Sequence, residues 1–131
     1  MDYFEDRIAR NVEAGNVKMI ENLIDCGFLN KYDTVNKTTL FHIIAKHSIP
    51  NHKQMINMLL SKGFNINYKS DGQTPFEVAV INHNLSTAGY FLSKGCQYNS
   101  AEIAKYSVIM DCDVIFELQK ELKHLGVVMV L

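Results

Sequence analysis

Met58-Leu59-Leu60-Ser61-Lys62-Gly63-Phe64 lies near the middle of the chain, and the sequence repeats this pattern on either side. The earlier copy is Asn22-Leu23-Ile24-Asp25-Cys26-Gly27-Phe28, and the later copy is Phe91-Leu92-Ser93-Lys94-Gly95-Cys96. The three glycines are 36 and 32 residues apart, and each copy is closely followed by an asparagine, at Asn30, Asn67 and Asn99. Self-similarity at a period of roughly 20–50 residues is typical of proteins built from stacked repeats.

Each repeat carries the signals of two helices. Thr74 is a favourable N-cap residue, Pro75 suits the first helical position, and Glu77 completes a capping box with Thr74. One unit earlier, Thr39 precedes a similar apolar segment, although Thr38 competes with it as the start. The recurring glycines lie where a helix favours a left-handed residue after its C-terminus, so they predict the end of the second helix in each unit.

The second helices carry apolar residues in pairs one helical turn apart. The three sets are Met19, Ile20, Leu23 and Ile24; Met55, Ile56, Leu59 and Leu60; and Thr87, Ala88, Phe91 and Leu92. This spacing produces one broad apolar stripe along a helix. Since a single helix pair cannot bury such stripes on both of its sides, the units must stack into a solenoid.

These phrases resemble the ankyrin repeat over about residues 10 to 99. Thr74-Pro75-Phe76 is similar to the Thr-Pro-Leu of that family, and Thr39 and His42 match its Thr and His. Gly15-Asn16 is similar to the Gly-His that opens the family's second helix. Glu77 departs from the pattern by replacing the histidine, and about three residues are inserted around 48–53. The resemblance implies an all-α ankyrin-repeat solenoid of about four stacked helix pairs, including two terminal caps.

The whole chain, residues 1–131, is predicted to form one ankyrin-repeat domain. Residues 1–30 form an N-terminal cap or repeat, 31–67 and 68–99 are repeats, 100–126 form a C-terminal cap, and 127–131 are an apolar tail. The cap is predicted to have one apolar inner face, formed by Val114, Ile115, Leu118, Leu122 and Leu125, and to expose Gln119, Lys120 and Lys123. The tail either folds back onto the cap or pairs with a partner.

Composition excludes several classes of function. The formal net charge of −1 gives no reason to expect nucleic acid, and no apolar run approaches the ~20 residues that span a bilayer. The acidic first residues do not open a signal peptide, and three cysteines without CxxC spacing predict neither a disulfide framework nor a zinc site. We therefore expect a cytoplasmic monomer whose cysteines are ordinary packing residues.

No catalytic pattern is present, and we expect neither an enzyme nor a cofactor or metal site. His42, His47 and His52 are five residues apart, so on a helix their side chains point in different directions. No HExxH, phosphate-binding glycine loop or GxSxG sequence occurs. His42 is better explained as a structural residue that forms hydrogen bonds.

The resemblance implies a protein-binding surface made from the inter-repeat turns and the ends of the first helices. The residues at those positions are Glu13, Ala14, Lys31, Tyr32, Thr34, Asn36, Lys46, His47, Tyr68, Lys69, Ser70, Asp71, Gln73, Ile81 and Asn82. Tyr32 and Tyr68 either pack on the neighbouring turn or serve as exposed aromatic anchors. Ile81 is either half-buried or a contact residue, and the inserted loop is either neutral or functional.

The sequence thus predicts a stand-alone module that binds, and can inhibit, a partner protein through its concave face. Such a module can be a microbial immunity protein that neutralises a toxin or an effector that engages a host protein, and the sequence does not separate the two. The alternatives are a small enzyme and a structural protein that associates with itself through the apolar tail.

Overall fold

The computed structural model describes residues 3–98 together with positions 120 and 123. It contains six helices: α1 (Tyr3–Glu13), α2 (Val17–Asp25), α3 (Leu40–Lys46), α4 (His52–Ser61), α5 (Pro75–Ile81) and α6 (Leu85–Ser93). Within these residues there is no β-strand, and extended pairing is limited to the single bridges Val35–Thr38 and Ser70–Gln73. The predicted all-α repeat fold is confirmed.

The helices form two layers. α3 packs between α1 and α5, and α4 packs between α2 and α6, so first helices stack on first helices and second helices on second helices. The side chains between the layers form one apolar cluster that extends from Ile8 to Cys96. α3 is buried from Leu40 to Ala45 because a helix pair covers it on each side.

The predicted helix starts are confirmed at both threonines. Thr74 Oγ1 accepts a hydrogen bond from the amide of Glu77 at 3.2 Å, and the Glu77 carboxylate accepts one from the amide of Thr74, which completes the capping box. In the preceding unit the N-cap is Thr39, whose hydroxyl accepts from the amide of His42. The competing start at Thr38 is therefore excluded.

The three repeated glycines all end a second helix in the left-handed region. Their φ angles are +83° at Gly27, +87° at Gly63 and +85° at Gly95. Each of these amides donates to a carbonyl three residues earlier, as at a left-handed helix C-terminus. The sequence prediction of these ends is confirmed.

An asparagine precedes the second helix of every unit, at Asn16, Asn51 and Asn84, and none of them caps its own helix. The side-chain amide of Asn84 instead reaches the carbonyls at the end of α3, at 3.2 to 3.4 Å from the oxygens of Ile44, Ala45 and His47. Asn51 donates to the Gly15 carbonyl at 3.3 Å. Both side chains therefore link one unit to the preceding one, because they satisfy carbonyls that a helix end leaves without partners.

His42 is a structural residue, as the sequence predicts, and it also links two units. Its Nε2 donates to the carbonyl of Gln73 at 2.8 Å, and its Nδ1 lies 2.7 Å from Thr39 Oγ1. Since a carbonyl only accepts, the neutral ring carries its proton on Nε2 and the threonine hydroxyl donates to Nδ1. The ring thus ties the start of α3 to the turn of the following unit.

Stability is expected to fall as the pH drops below about 6.5, the ordinary histidine pKa. Burial lowers the pKa of His42, and burial together with the nearby Lys53 charge lowers the pKa of His52. Below pH 6.5 the unfolded chain therefore binds more protons than the folded chain, which favours unfolding. Urea unfolding at pH 7.5 and at pH 5.5 tests this. Equal or higher stability at pH 5.5 would contradict it.

Two predicted core residues are exposed, and both are in the first unit. Met19 is 45% exposed, whereas Met55, its equivalent one repeat later, is fully buried. Within residues 3–98 no helix pair stacks on the outer side of α2, so the apolar stripe of that helix is covered on one side only. Cys26 is also exposed, because it follows the end of the same helix, and its assignment as a packing residue was wrong.

The other cysteine in the described part of the chain is buried. Cys96 packs in the apolar cluster, and burial raises the pKa of its thiol to about 12. Iodoacetamide at pH 8 is therefore expected to modify Cys26 in the folded protein and to spare Cys96, since the thiolate is the reactive species. Peptide mass spectrometry reads out both sites. Equal labelling of both in the absence of urea would show that Cys96 is not in the core.

The predicted C-terminal cap, its inner face, Cys112 and the apolar tail lie outside the described residues. Only Lys120 and Lys123 are described in that region, and both are helical and exposed.

Candidate protein-binding surface

Two tight turns lie directly before the first helices of two units, α3 and α5. In each turn a residue pairs with the residue three positions later, Val35 with Thr38 and Ser70 with Gln73. Both central residues of each turn have positive φ, as in a type I′ turn: Asn36 and Lys37 in the first, Asp71 and Gly72 in the second. The Ser70 hydroxyl donates to the Lys37 carbonyl at 3.1 Å, which fixes one turn against the other.

An open groove of about 410 Å³ runs between these turns and the first helices. We call it the concave groove. It is lined by Ala9, Glu13, Asn36, Thr38, His42, Ile43, Lys46, His47, Ser70, Asp71, Gln73, Val78 and Asn82. The lining combines α1, α3 and α5 with both turns, so the surface exists only when the units are stacked.

Some polar groups of the groove are engaged within the chain. His47 Nε2 lies 3.2 Å from a carboxylate oxygen of Glu13, the Asn82 amide donates to the Val78 carbonyl at 2.8 Å, and the Asn36 amide reaches Asp6 at 3.3 Å. By contrast, the side chains of Lys46 and Asp71 make no hydrogen bond or ion pair with residues 3–98. Among the described residues, the groove therefore offers the Lys46 cation and the Asp71 anion without partners, beside amides that are already hydrogen-bonded.

A second, smaller cavity lies between the two inter-repeat loops. We call this cavity of about 200 Å³ the aromatic cleft; it is lined by Lys31, Tyr32, Asp33, Thr34, Thr39, Phe41, Gly63, Phe64, Asn65 and Tyr68. Phe41 and Phe64 are buried and form its floor. Tyr32 and Tyr68 are 83% and 47% exposed, which places them at the rim. Tyr32 therefore does not pack on the neighbouring turn.

Most of the predicted binding residues fall into two groups. Asn36, Lys46, His47, Ser70, Asp71, Gln73 and Asn82 line the concave groove, together with Glu13, whereas Lys31, Tyr32, Thr34 and Tyr68 line the aromatic cleft. Lys69, Ile81 and Ala14 line neither cavity; Ile81 is half-buried, while Lys69 and Ala14 are exposed. Whether any of these residues binds protein stays a prediction.

Sequence reasoning missed the floors of both cavities. Ile43 and Val78 were not selected for the groove, nor Phe41 and Phe64 for the cleft, because an apolar residue in a helix or after a glycine indicates core. The sequence left open whether the inserted loop is neutral or functional; in the structure its Ile49 is buried and its Pro50 lies against Gly15. The packing of Pro50 against Gly15 could not be predicted, because the two residues are far apart in the sequence and no local pattern connects them.

No three His, Cys, Asp or Glu residues in the described part of the chain are close enough to hold a metal ion. No helix in that part of the chain is both long enough and apolar enough to cross a membrane.

Comparison with protein families identifies the repeat. A model of ankyrin repeats in three copies matches residues 8–102, which is more than half of the chain. Searches of curated proteins and of solved structures gave no match. The matched range contains the three second helices, both turns and both cavities described above. The chain therefore belongs to the ankyrin repeat family.

Proposed function

We propose that this protein binds a partner protein through the concave groove and the turns that border it. Ankyrin repeats generally mediate protein–protein interaction and are typically not enzymes. The observation that carries the proposal is that the groove presents Lys46 and Asp71 without partners in residues 3–98, on a surface that only the stacked units create. Charged groups held in this way speed the approach of a partner with complementary charges and fix the orientation in which it docks.

The shape of the groove supports a protein partner over a small molecule. It is open to solvent along its length and borders on several exposed polar side chains, whereas small-molecule sites are largely enclosed and mainly apolar. The rims of protein interfaces are polar and well hydrated, as this surface is. The alternative is that the groove is only a solvated surface of the repeats. It predicts that charge changes in the groove do not alter the binding of any partner protein.

Capture of partners from the native cell with two groove variants is the test. Lys46→Glu and Asp71→Asn are expected to weaken recovery of the same partner about fivefold or more, since the first reverses and the second removes a charge on the contact surface. Asparagine tolerates the left-handed backbone at position 71, so folding is preserved. Lys18→Glu is the control, because Lys18 is exposed on α2 and lies outside both cavities. Equal recovery with all variants would refute a role for the groove.

We further propose that the protein acts as a cytoplasmic monomer that occupies the surface of its partner. The same surface serves an immunity protein that blocks a toxin and an effector that engages a host protein. A toxin gene next to the gene for this chain supports the first role, and a captured host protein supports the second. A solution mass above that of one chain would support self-association instead.

A further inference from the structure

The aromatic cleft combines an apolar floor with a cation at its edge. The alkyl chain of Lys31 lies over Gly63, where a Cβ would come within 3.3 Å of Lys31 Cδ. The Lys31 ammonium lies 5.2 Å from the centroid of the Tyr32 ring, a distance at which the ring attracts a cation. These contacts hold the charge beside the opening of the cleft and leave it without an ion pair in residues 3–98.

The other charged side chains at or beside the cleft form no ion pair with Lys31. Asp33 accepts a hydrogen bond from the backbone amide of Asn30 at 2.9 Å and closes its own turn. Lys69, which follows Tyr68 but does not line the cleft, is exposed and makes no ion pair with the described residues. Asp33 keeps its negative charge but is held by the Asn30 amide, so the Lys31 ammonium stays available to a carboxylate of a bound segment, and Lys69 adds a second positive charge next to Tyr68.

The size of the cleft selects the kind of occupant. Its volume of about 200 Å³ lies below the roughly 300–1,000 Å³ of sites that bind whole cofactors or metabolites. It suits one large side chain, and aromatic walls favour edge-to-face contact with another ring. Exposed tyrosines around a buried apolar floor are also the arrangement expected of an interface hot spot.

We propose that the aromatic cleft binds one bulky apolar side chain of the partner protein, carried on a segment with a carboxylate next to that side chain. This rests on the proposed protein-binding function and adds the chemistry of the segment that is recognised. The apolar group enters between Tyr32 and Tyr68 and contacts Phe41 and Phe64. The neighbouring carboxylate pairs with the Lys31 ammonium.

Three short peptides titrated into the full-length, nitrogen-15-labelled protein test the proposal by NMR. They are the end-capped tetrapeptides Gly-Phe-Asp-Gly, Gly-Phe-Lys-Gly and Gly-Ala-Asp-Gly. The Phe-Asp peptide is expected to give saturable shifts of the Gly63, Phe64 and Tyr68 amides, with a Kd in the millimolar range. The Phe-Lys peptide is expected to bind about two- to fivefold more weakly, the strength of one exposed ion pair, and the Ala-Asp peptide not to saturate.

Variants separate the contributions of the ring and of the charge. Tyr68→Ala is expected to abolish saturation, and Lys31→Glu to reverse the preference so that the Phe-Lys peptide binds more tightly. Tyr3→Ala is the matched control: Tyr3 is exposed on α1, and its ring also lies near a cation, the Arg7 guanidinium at 5.9 Å, but it is outside the cleft. This variant is expected to bind like the wild type.

Several outcomes would overturn the proposal. A fitted Kd above about 10 mM for the Phe-Asp peptide, shifts that map away from the cleft, or equal affinity for the Asp and Lys peptides would each do so. Cleft shifts caused by removing residues 127–131 would identify the apolar tail as the occupant, and cleft shifts on dilution would identify a second copy of the chain. The groove variants Lys46→Glu and Asp71→Asn are tested by partner capture and not by peptide titration. The proposed function can therefore hold even when this inference fails.

Discussion

Leu59→Ala is expected to lower the free energy of unfolding by ~2–5 kcal/mol, the usual cost of removing a buried leucine side chain. Leu59 is fully buried in α4, which packs between α2 and α6. Its loss therefore leaves a cavity at the centre of the stack of second helices. Since small domains have only ~5–15 kcal/mol of stability in total, this variant loses a large share of it.

The equivalent leucine of the first unit provides a matched control. Leu23 is one repeat earlier and only half-buried, because α2 has no described neighbour on its outer side. Leu23→Ala is expected to cost about 1–2 kcal/mol, less than Leu59→Ala, in proportion to the smaller apolar area removed from water. Urea unfolding of both variants gives the comparison. If the two costs were equal, burial by the neighbouring units would not be the reason for the large effect.

The repeats could be read from the sequence because each rests on local chemistry. A capping box, a threonine N-cap and a glycine in a left-handed position are properties of a few adjacent residues. The apolar stripes predicted which residues share a face. They could not predict which faces have a neighbour, and this explains why Met19 is exposed while Met55 is buried.

The candidate site was predictable in part for the same reason. Turn positions are set by the repeat, so Asn36 and Asp71 were placed correctly at the tips of two equivalent turns. Their division into a groove and a cleft depends on the separation between units, which a periodic pattern does not contain. The links made by Asn51 and Asn84 were missed because an asparagine before a helix indicates a cap, and here the side chain bonds the preceding unit instead.

Gly15→Ala is expected to be the other strongly destabilising change, at about 2–5 kcal/mol. Gly15 has φ +73° and is buried against the inserted loop, where a Cβ would overlap the Pro50 carbonyl oxygen and lie 2.9 Å from Pro50 Cγ. The strain of a left-handed alanine accounts for about 1–2 kcal/mol. The steric conflict adds about 1–3 kcal/mol, as overpacking does elsewhere. Relief would require the loop to move, which would also break the hydrogen bond from Asn51 to the Gly15 carbonyl.

Gly27→Ala separates the two contributions. Gly27 has a similar φ of +83°, but a Cβ there would meet nothing within 4 Å. Only the backbone strain should remain, so this variant is expected to lose about 1–2 kcal/mol. Thermal or urea unfolding of both alanine variants measures the difference. If Gly15→Ala were no more costly than Gly27→Ala, the inserted loop would not be packed against the first unit, and the link between the first two repeats would depend on the helices alone.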